Sequence, residues 1–130
     1  MAYASAASSA SPKGVLIKIS VIGRNGYALK KSKITFYVSG RAVGTIDDSN
    51  GFGSILLPDA DDRVTVEAKF GESTVQRILK DGEEEITIQL DEDELLLKAL
   101  LPTRAICPDG TSGQPCVVCS IGGKPYQICA

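Results

Sequence analysis

Four cysteines, Cys107, Cys116, Cys119 and Cys129, fall in the last 24 residues of a 130-residue chain. They are the residues whose type and spacing could do chemistry. An even count in a Gly/Pro-rich segment with little apolar content of its own suits a disulfide framework. Gly122-Gly123 reads as a two-residue hairpin turn, which sets Ile121 opposite Lys124. Counting outward, Cys116 falls opposite Cys129 and Cys119 opposite Tyr126, leaving Cys107 and Cys119 as the second pair. A four-cysteine zinc site is the first rival. It wants two close thiolate pairs, and only Cys116-Val117-Val118-Cys119 has that spacing. Redox chemistry at the same pair is the second rival, although a reactive thiol there usually sits at a helix N-terminus and this stretch reads as strand. The eight-residue gap between Cys107 and Cys116 fits neither common iron–sulfur spacing.

Other site chemistry is narrowed by composition. The chain has no His and no Trp. Ser-His and Cys-His nucleophile pairs, His general bases and His-containing zinc sites are therefore excluded. The carboxylates Asp47, Asp48, Asp59, Asp61 and Asp62, with Asn50, could offer oxygens to Ca²⁺. Their spacing does not match an EF-hand loop, and they read as solvated turns. Net charge is −2, so no basic field is available for phosphate backbones. Lys30-Lys31-Ser32-Lys33, without interleaved aromatics, reads as a solvated loop. Lys18 and Glu67 could in principle take part in a side-chain cross-link, but strand alternation turns both toward solvent.

The elements that must position these residues are strands. Ile17, Ile19 and Val21 share one face of Val15–Ile22, and Ile34, Phe36 and Val38 share one face of residues 33–38. Ser39-Gly40 turns the chain into residues 41–46. The polar corner Asp47-Asp48-Ser49-Asn50-Gly51 leads into Phe52–Leu57, where Ile55 and Leu57 face in. Gly51 can take positive φ there without steric cost. Val64, Val66, Ala68 and Phe70 alternate next. Gly71-Glu72 suits a type II′ turn into residues 73–79, and Asp81-Gly82 a type I′ turn into residues 85–90, with Ile86, Ile88 and Leu90 inward. This pattern predicts an all-β fold, a seven-stranded antiparallel β-sandwich over residues 14–90.

Several of these stretches carry a family resemblance. Gly26-Tyr27-Ala28-Leu29-Lys30-Lys31-Ser32-Lys33-Ile34, the corner Thr45-Ile46-Asp47-Asp48-Ser49-Asn50-Gly51-Phe52 and Val64-Thr65-Val66-Glu67-Ala68-Lys69-Phe70-Gly71 resemble motifs of the transthyretin-like, carboxypeptidase-regulatory-like sandwich. The corner has one extra residue before its glycine. The resemblance implies a non-catalytic module of a surface, secreted or multi-domain protein.

Outside the sandwich, residues 1–13 read as a flexible Ala/Ser-rich arm without the charged and apolar regions of a secretory signal. Asp91 with Glu94 forms a capping box and Pro102 is a helix stop, predicting a short helix over 91–102. Its Leu95, Leu96, Leu97, Leu100 and Leu101 could pack on the sandwich or bind a partner. Residues 103–130 form the cysteine-rich hairpin appendage. No apolar run is long enough to span a bilayer. The expected function is a non-catalytic structural or protein-binding subunit without a cofactor, joined through its termini to copies of itself or to another protein. The rival is a zinc or thiol protein acting through the cysteine cluster. Disulfides point outside the cytosol, while no export signal is visible.

Overall fold

The computed structural model describes residues 14–59, 62–80, 82–93 and 101–130. The described residues form β1 (Val15–Ile22), β2 (Ser32–Val38), β3 (Arg41–Ser49), β4 (Phe52–Leu57), β5 (Val64–Phe70), β6 (Ser73–Ile78), β7 (Glu85–Gln89), β8 (Arg104–Ile106), β9 (Ser112–Gly113), β10 (Cys116–Ile121) and β11 (Lys124–Cys129). They make two sheets, one ordered β10-β11-β4-β1-β7 and the other β6-β5-β2-β3-β8-β9. The fold is all-β as expected, and the first seven strands lie close to where alternation placed them.

Three expectations are corrected. The sandwich is not made of seven strands alone: β8 and β9 add to the seven expected and the two of the hairpin, so the described residues hold eleven, shared between two sheets. They are not all antiparallel, since β1 pairs β7 in parallel, Ile19 beside Ile86 and Val21 beside Ile88. The cysteine hairpin is also no appendage: β11 pairs β4, with Ile128 beside Ile55 and Gln127 beside Leu56. A sheet that needs β11 to cover one side of β4 has no boundary at residue 90.

The helix expected over 91–102 is absent at both of its described ends, and residues 94–100 lie outside the described residues. Its proposed acidic cap has other partners. Arg24 Nη2 donates to Asp93 Oδ2 at 3.1 Å, Arg24 N–H donates to the Glu92 carbonyl, and Ser73 Oγ donates to Glu92 Oε2. These contacts tie the acidic run to loops of the sandwich, not to the N-terminus of a helix.

The core fills the space between the sheets. Of the expected inward residues, Ile17, Ile19, Val21, Ile34, Phe36, Val38, Ile55, Leu57, Val64, Val66, Ile86 and Ile88 are buried. Phe70 is half-buried and only packs against the core edge. Leu29, Val43, Ile46, Ala105, Val117, Tyr126 and Ile128 join them, so the second half of the core comes from β3 and the C-terminal strands.

Two glycines let the sheets close. A Cβ on Gly44 would collide with Cδ1 of Ile128, and one on Gly53 with Cδ1 of Ile46. An isoleucine from each sheet thus sits over a glycine in the other.

Phe36 is fully buried at the centre of this core. Phe36→Ala is expected to lower the unfolding free energy by about 3–5 kcal/mol, read from denaturant melts. An effect within the range of a surface substitution would mean that the strand phase is wrong.

Candidate functional site in the disulfide hairpin and the sheet face it completes

The two-residue turn at Gly122-Gly123 takes positive φ at both positions, 61° and 81°. It fixes the hairpin register, with Ile121 opposite Lys124, Cys119 opposite Tyr126 and Cys116 opposite Cys129. Both disulfides form as expected from that register, Cys116–Cys129 and Cys107–Cys119. They do different work. Cys116 and Cys129 are direct neighbours on adjacent strands, their Cα atoms 4.1 Å apart, and both are half-buried on the outer face. Cys119 points inward and joins Cys107, which comes just after β8 in the opposite sheet, with both residues buried. The second bond therefore closes one flank of the sandwich.

This arrangement leaves the rival readings little to work with. Cys116 and Cys119 are three residues apart on a strand, so their side chains leave opposite faces. Each is bonded elsewhere, and no described cysteine is free. A metal site would need thiolates, and these sulfurs are held in S–S bonds. No group of three or more His, Cys, Asp or Glu among the described residues is arranged to hold a metal ion.

The other candidate residues are distributed around the fold. Lys18 lies on the outer face of the five-stranded sheet. Glu67 lies on the outer face of the six-stranded one, accepting from Gln76 Nε2 at 2.9 Å, so the two are not juxtaposed. Ser32, expected in a solvated basic loop, is instead buried and shares a 2.6 Å hydrogen bond with Ser49 Oγ.

The carboxylates do not converge either. Asp47 stands opposite Arg104 in the β3–β8 ladder, and Asp61 lies outside the described residues. Asn50 acts as a clip. Its Oδ1 accepts from Leu101 N–H at 2.7 Å, and its Nδ2 donates to the Leu101 carbonyl at 3.1 Å and to Thr103 Oγ1 at 3.3 Å. Thr103 Oγ1 in turn donates to the Asp48 carbonyl. Leu101 is thus half-buried and held by its backbone, while Leu95, Leu96, Leu97 and Leu100 lie outside the described residues.

At the hairpin tip, Lys124 Nζ meets Asp59 Oδ2 at 2.8 Å and Asp62 Oδ1 at 3.5 Å. The hydrogen bond to Asp59 and the two negative charges raise the Lys124 pKa. Burial, assisted by the charge of Asp62, raises that of Tyr126. Asp62 Oδ2 is buried without a hydrogen-bond partner, and the neighbouring ammonium offsets its charge.

The hairpin also completes a flat outer face that sequence reasoning missed. Val118 pairs Gln127, Gln127 pairs Leu56, and Leu56 pairs Leu16, making one row across four strands. In that row Val118 is 55% exposed, Leu16 43% and Leu56 38%. Pro58 and Pro125 border the row with Gly14 around a shallow depression of about 290 Å³. The next row holds the Cys116–Cys129 disulfide, Ser54, Lys18 and Glu85. Phe52, 54% exposed, lies one row further. Among the described residues, Lys18 and Glu85 are the only charged ones pointing outward from these five strands. The outer face of the other sheet carries Lys33, Asp47, Glu67, Lys69 and Arg104. A signal was available: Leu16, Leu56 and Val118 sit at outward phases where alternation calls for polar residues.

The difference in burial between the two disulfides can be tested directly. Graded reduction of the native protein with alkylation and mass spectrometry is expected to label Cys116 and Cys129 before the buried Cys107 and Cys119. Removing the inter-sheet bond in a Cys107→Ala/Cys119→Ala variant is expected to cost about 2–4 kcal/mol. Simultaneous labelling of all four cysteines would contradict the separation in burial. A second test concerns alkaline pH. Tyr126 and Lys124 both hold their protons more tightly folded than unfolded. Above about pH 10 the native state therefore binds more protons than the unfolded one, and unfolding free energy falls as pH rises. Tyr126→Phe is expected to flatten that decline in pH-dependent melts, and an unchanged slope would remove Tyr126 from the account.

Comparison with protein-family models, with curated proteins and with solved structures finds no match to this chain.

Proposed function

We propose that this chain is a non-catalytic, protein-binding β-sandwich module that works as a subunit of an assembly. The observation that carries this reading is the contrast between its two outer faces. One presents Leu16, Phe52, Leu56 and Val118 to solvent with Lys18 and Glu85 as its charged residues, and the other carries five charged side chains beside one exposed isoleucine, Ile78. A soluble domain gains nothing from displaying four large apolar side chains on one flat face unless a partner covers them.

The resemblance to transthyretin-like sandwiches supports the same class of role. The sequence placed the connectors in the termini. With the C-terminal hairpin built into the core, the connecting surface moves from the tail onto the sheet. The zinc or thiol alternative draws no support from the bonded cysteines. No helix among the described residues is long and apolar enough to cross a membrane. Two disulfides suit an oxidising compartment or an assembly exposed at a surface.

Light scattering on the full chain tests the reading. A mass that is a multiple of 13.7 kDa at micromolar concentration is expected, or a complex when a cognate protein is present. A chain that stays monomeric to high micromolar concentration and captures no protein would end it.

A further inference from the structure

We propose that the outer face of the five-stranded sheet is a self-association surface, and that its occupant is the same face of a second copy related by a two-fold axis. The inference rests on the protein-binding reading and assigns its partner.

The register determines how two such faces can meet. The strand order is β10-β11-β4-β1-β7. An axis lying in the interface, parallel to the strands and between β11 and β4, exchanges β11 with β4 and β10 with β1. Leu16 of one copy then lies over Val118 of the second copy, and Val118 over Leu16. Leu56 lies over the Gln127 position beside its own counterpart, and Pro58 lies over Pro125. Isologous contacts of this kind require a patch that complements itself, and this row does so with apolar side chains on both sides.

Charge is consistent with the same operation. Lys18 is carried over Cys116 in the neutral disulfide, and Glu85 passes beyond the outer strand, so no like charges are superposed. An alignment centred on the charged row does worse. An axis along the row containing Lys18 would stack Lys18 on Lys18 and Glu85 on Glu85, and like charges held together out of water oppose association.

The patch is small. Four strands about 4.8 Å apart and about six residues long outline roughly 400 Å² per copy, or about 800 Å² in total, the size of a weak, reversible interface. Two sheets meeting this way stack with their strands nearly aligned.

The experiment is sedimentation velocity on the full chain from low to high micromolar concentration. It is run on the wild type, Leu56→Lys, Val118→Lys and, on the charged face, Thr74→Lys. All three positions are on outer faces, and thermal melts verify folding. The wild type is expected to dimerise. Each face variant is expected to weaken the dimer about tenfold or more, and Thr74→Lys is expected to leave it unchanged. A photo-crosslinking residue in place of Val118 is expected to join the segment around Leu16 of a second copy, in a band of twice the chain mass.

Oligomers that persist in both face variants would overturn this surface while leaving the assembly reading intact. A monomeric wild type that still captures a different protein would overturn the choice of a second copy. A crosslink from position 118 to residues 1–13 within a single-chain band would identify the arm as the occupant and overturn it equally.

Discussion

The structure depends on a reciprocal interlock between its two sheets. Ile128 from β11 occupies the space left by Gly44 on β3, and Ile46 from β3 occupies the space left by Gly53 on β4. Inter-sheet packing elsewhere in this core is side chain against side chain, at about 10 Å separation. At these two points side chain packs against bare backbone, so the sheets approach closely where β3, β4 and β11 cross. The last strand in sequence is thereby locked into the centre of the fold. A chain ending at Leu90 would leave Gly44 facing a void and β4 with an unpaired edge. The Cys107–Cys119 bond and the Asn50 clip act on the same region, tying the path from β7 to β8 and the flank at β10 to the interlock.

Much of this was legible in the sequence. Period-two alternation found the first seven strands within a few residues. Gly122-Gly123 fixed the hairpin register closely enough to pair all four cysteines. What sequence could not supply was which distant strands become neighbours. The parallel pairing of β1 with β7 has no local signature, because it depends on where a chain returns after some sixty residues. β8 and β9 are three and two residues long, too short for a period to register.

The hairpin's place in the core was readable in part. Val117 and Cys119 on one strand, with Tyr126 and Ile128 on the other, form an apolar face as regular as that of β1. Density of cysteines drew attention to stapling and away from that pattern. Leu29 was missed for a different reason. It sits outside any strand and is buried because its N–H donates to the Val21 carbonyl beneath Gly51, a contact created by the corner at φ +91°.

The fold's flanks explain why association is argued at a face and not at an edge. Sandwiches offer unpaired edge strands to any neighbouring strand, but both flanks here are obstructed. Arg77 sits opposite Val66 on β6, at an inward phase of an edge strand. Its guanidinium donates to the Thr87 carbonyl of β7 at 3.5 Å and to Glu83 Oε2 at 2.9 Å. The carbonyl that an incoming strand would use on β7 already has a donor, and a charge stands where that strand would lie. On the opposite flank, the Cys107–Cys119 bond draws β10 against the segment just after β8, and β9 sits beside it. Edge pairing on β7 would have to displace the Arg77 hydrogen bond and its ion pair with Glu83. The outer face of the five-stranded sheet requires neither, because its apolar row is already exposed and its backbone hydrogen bonds are already made within the sheet.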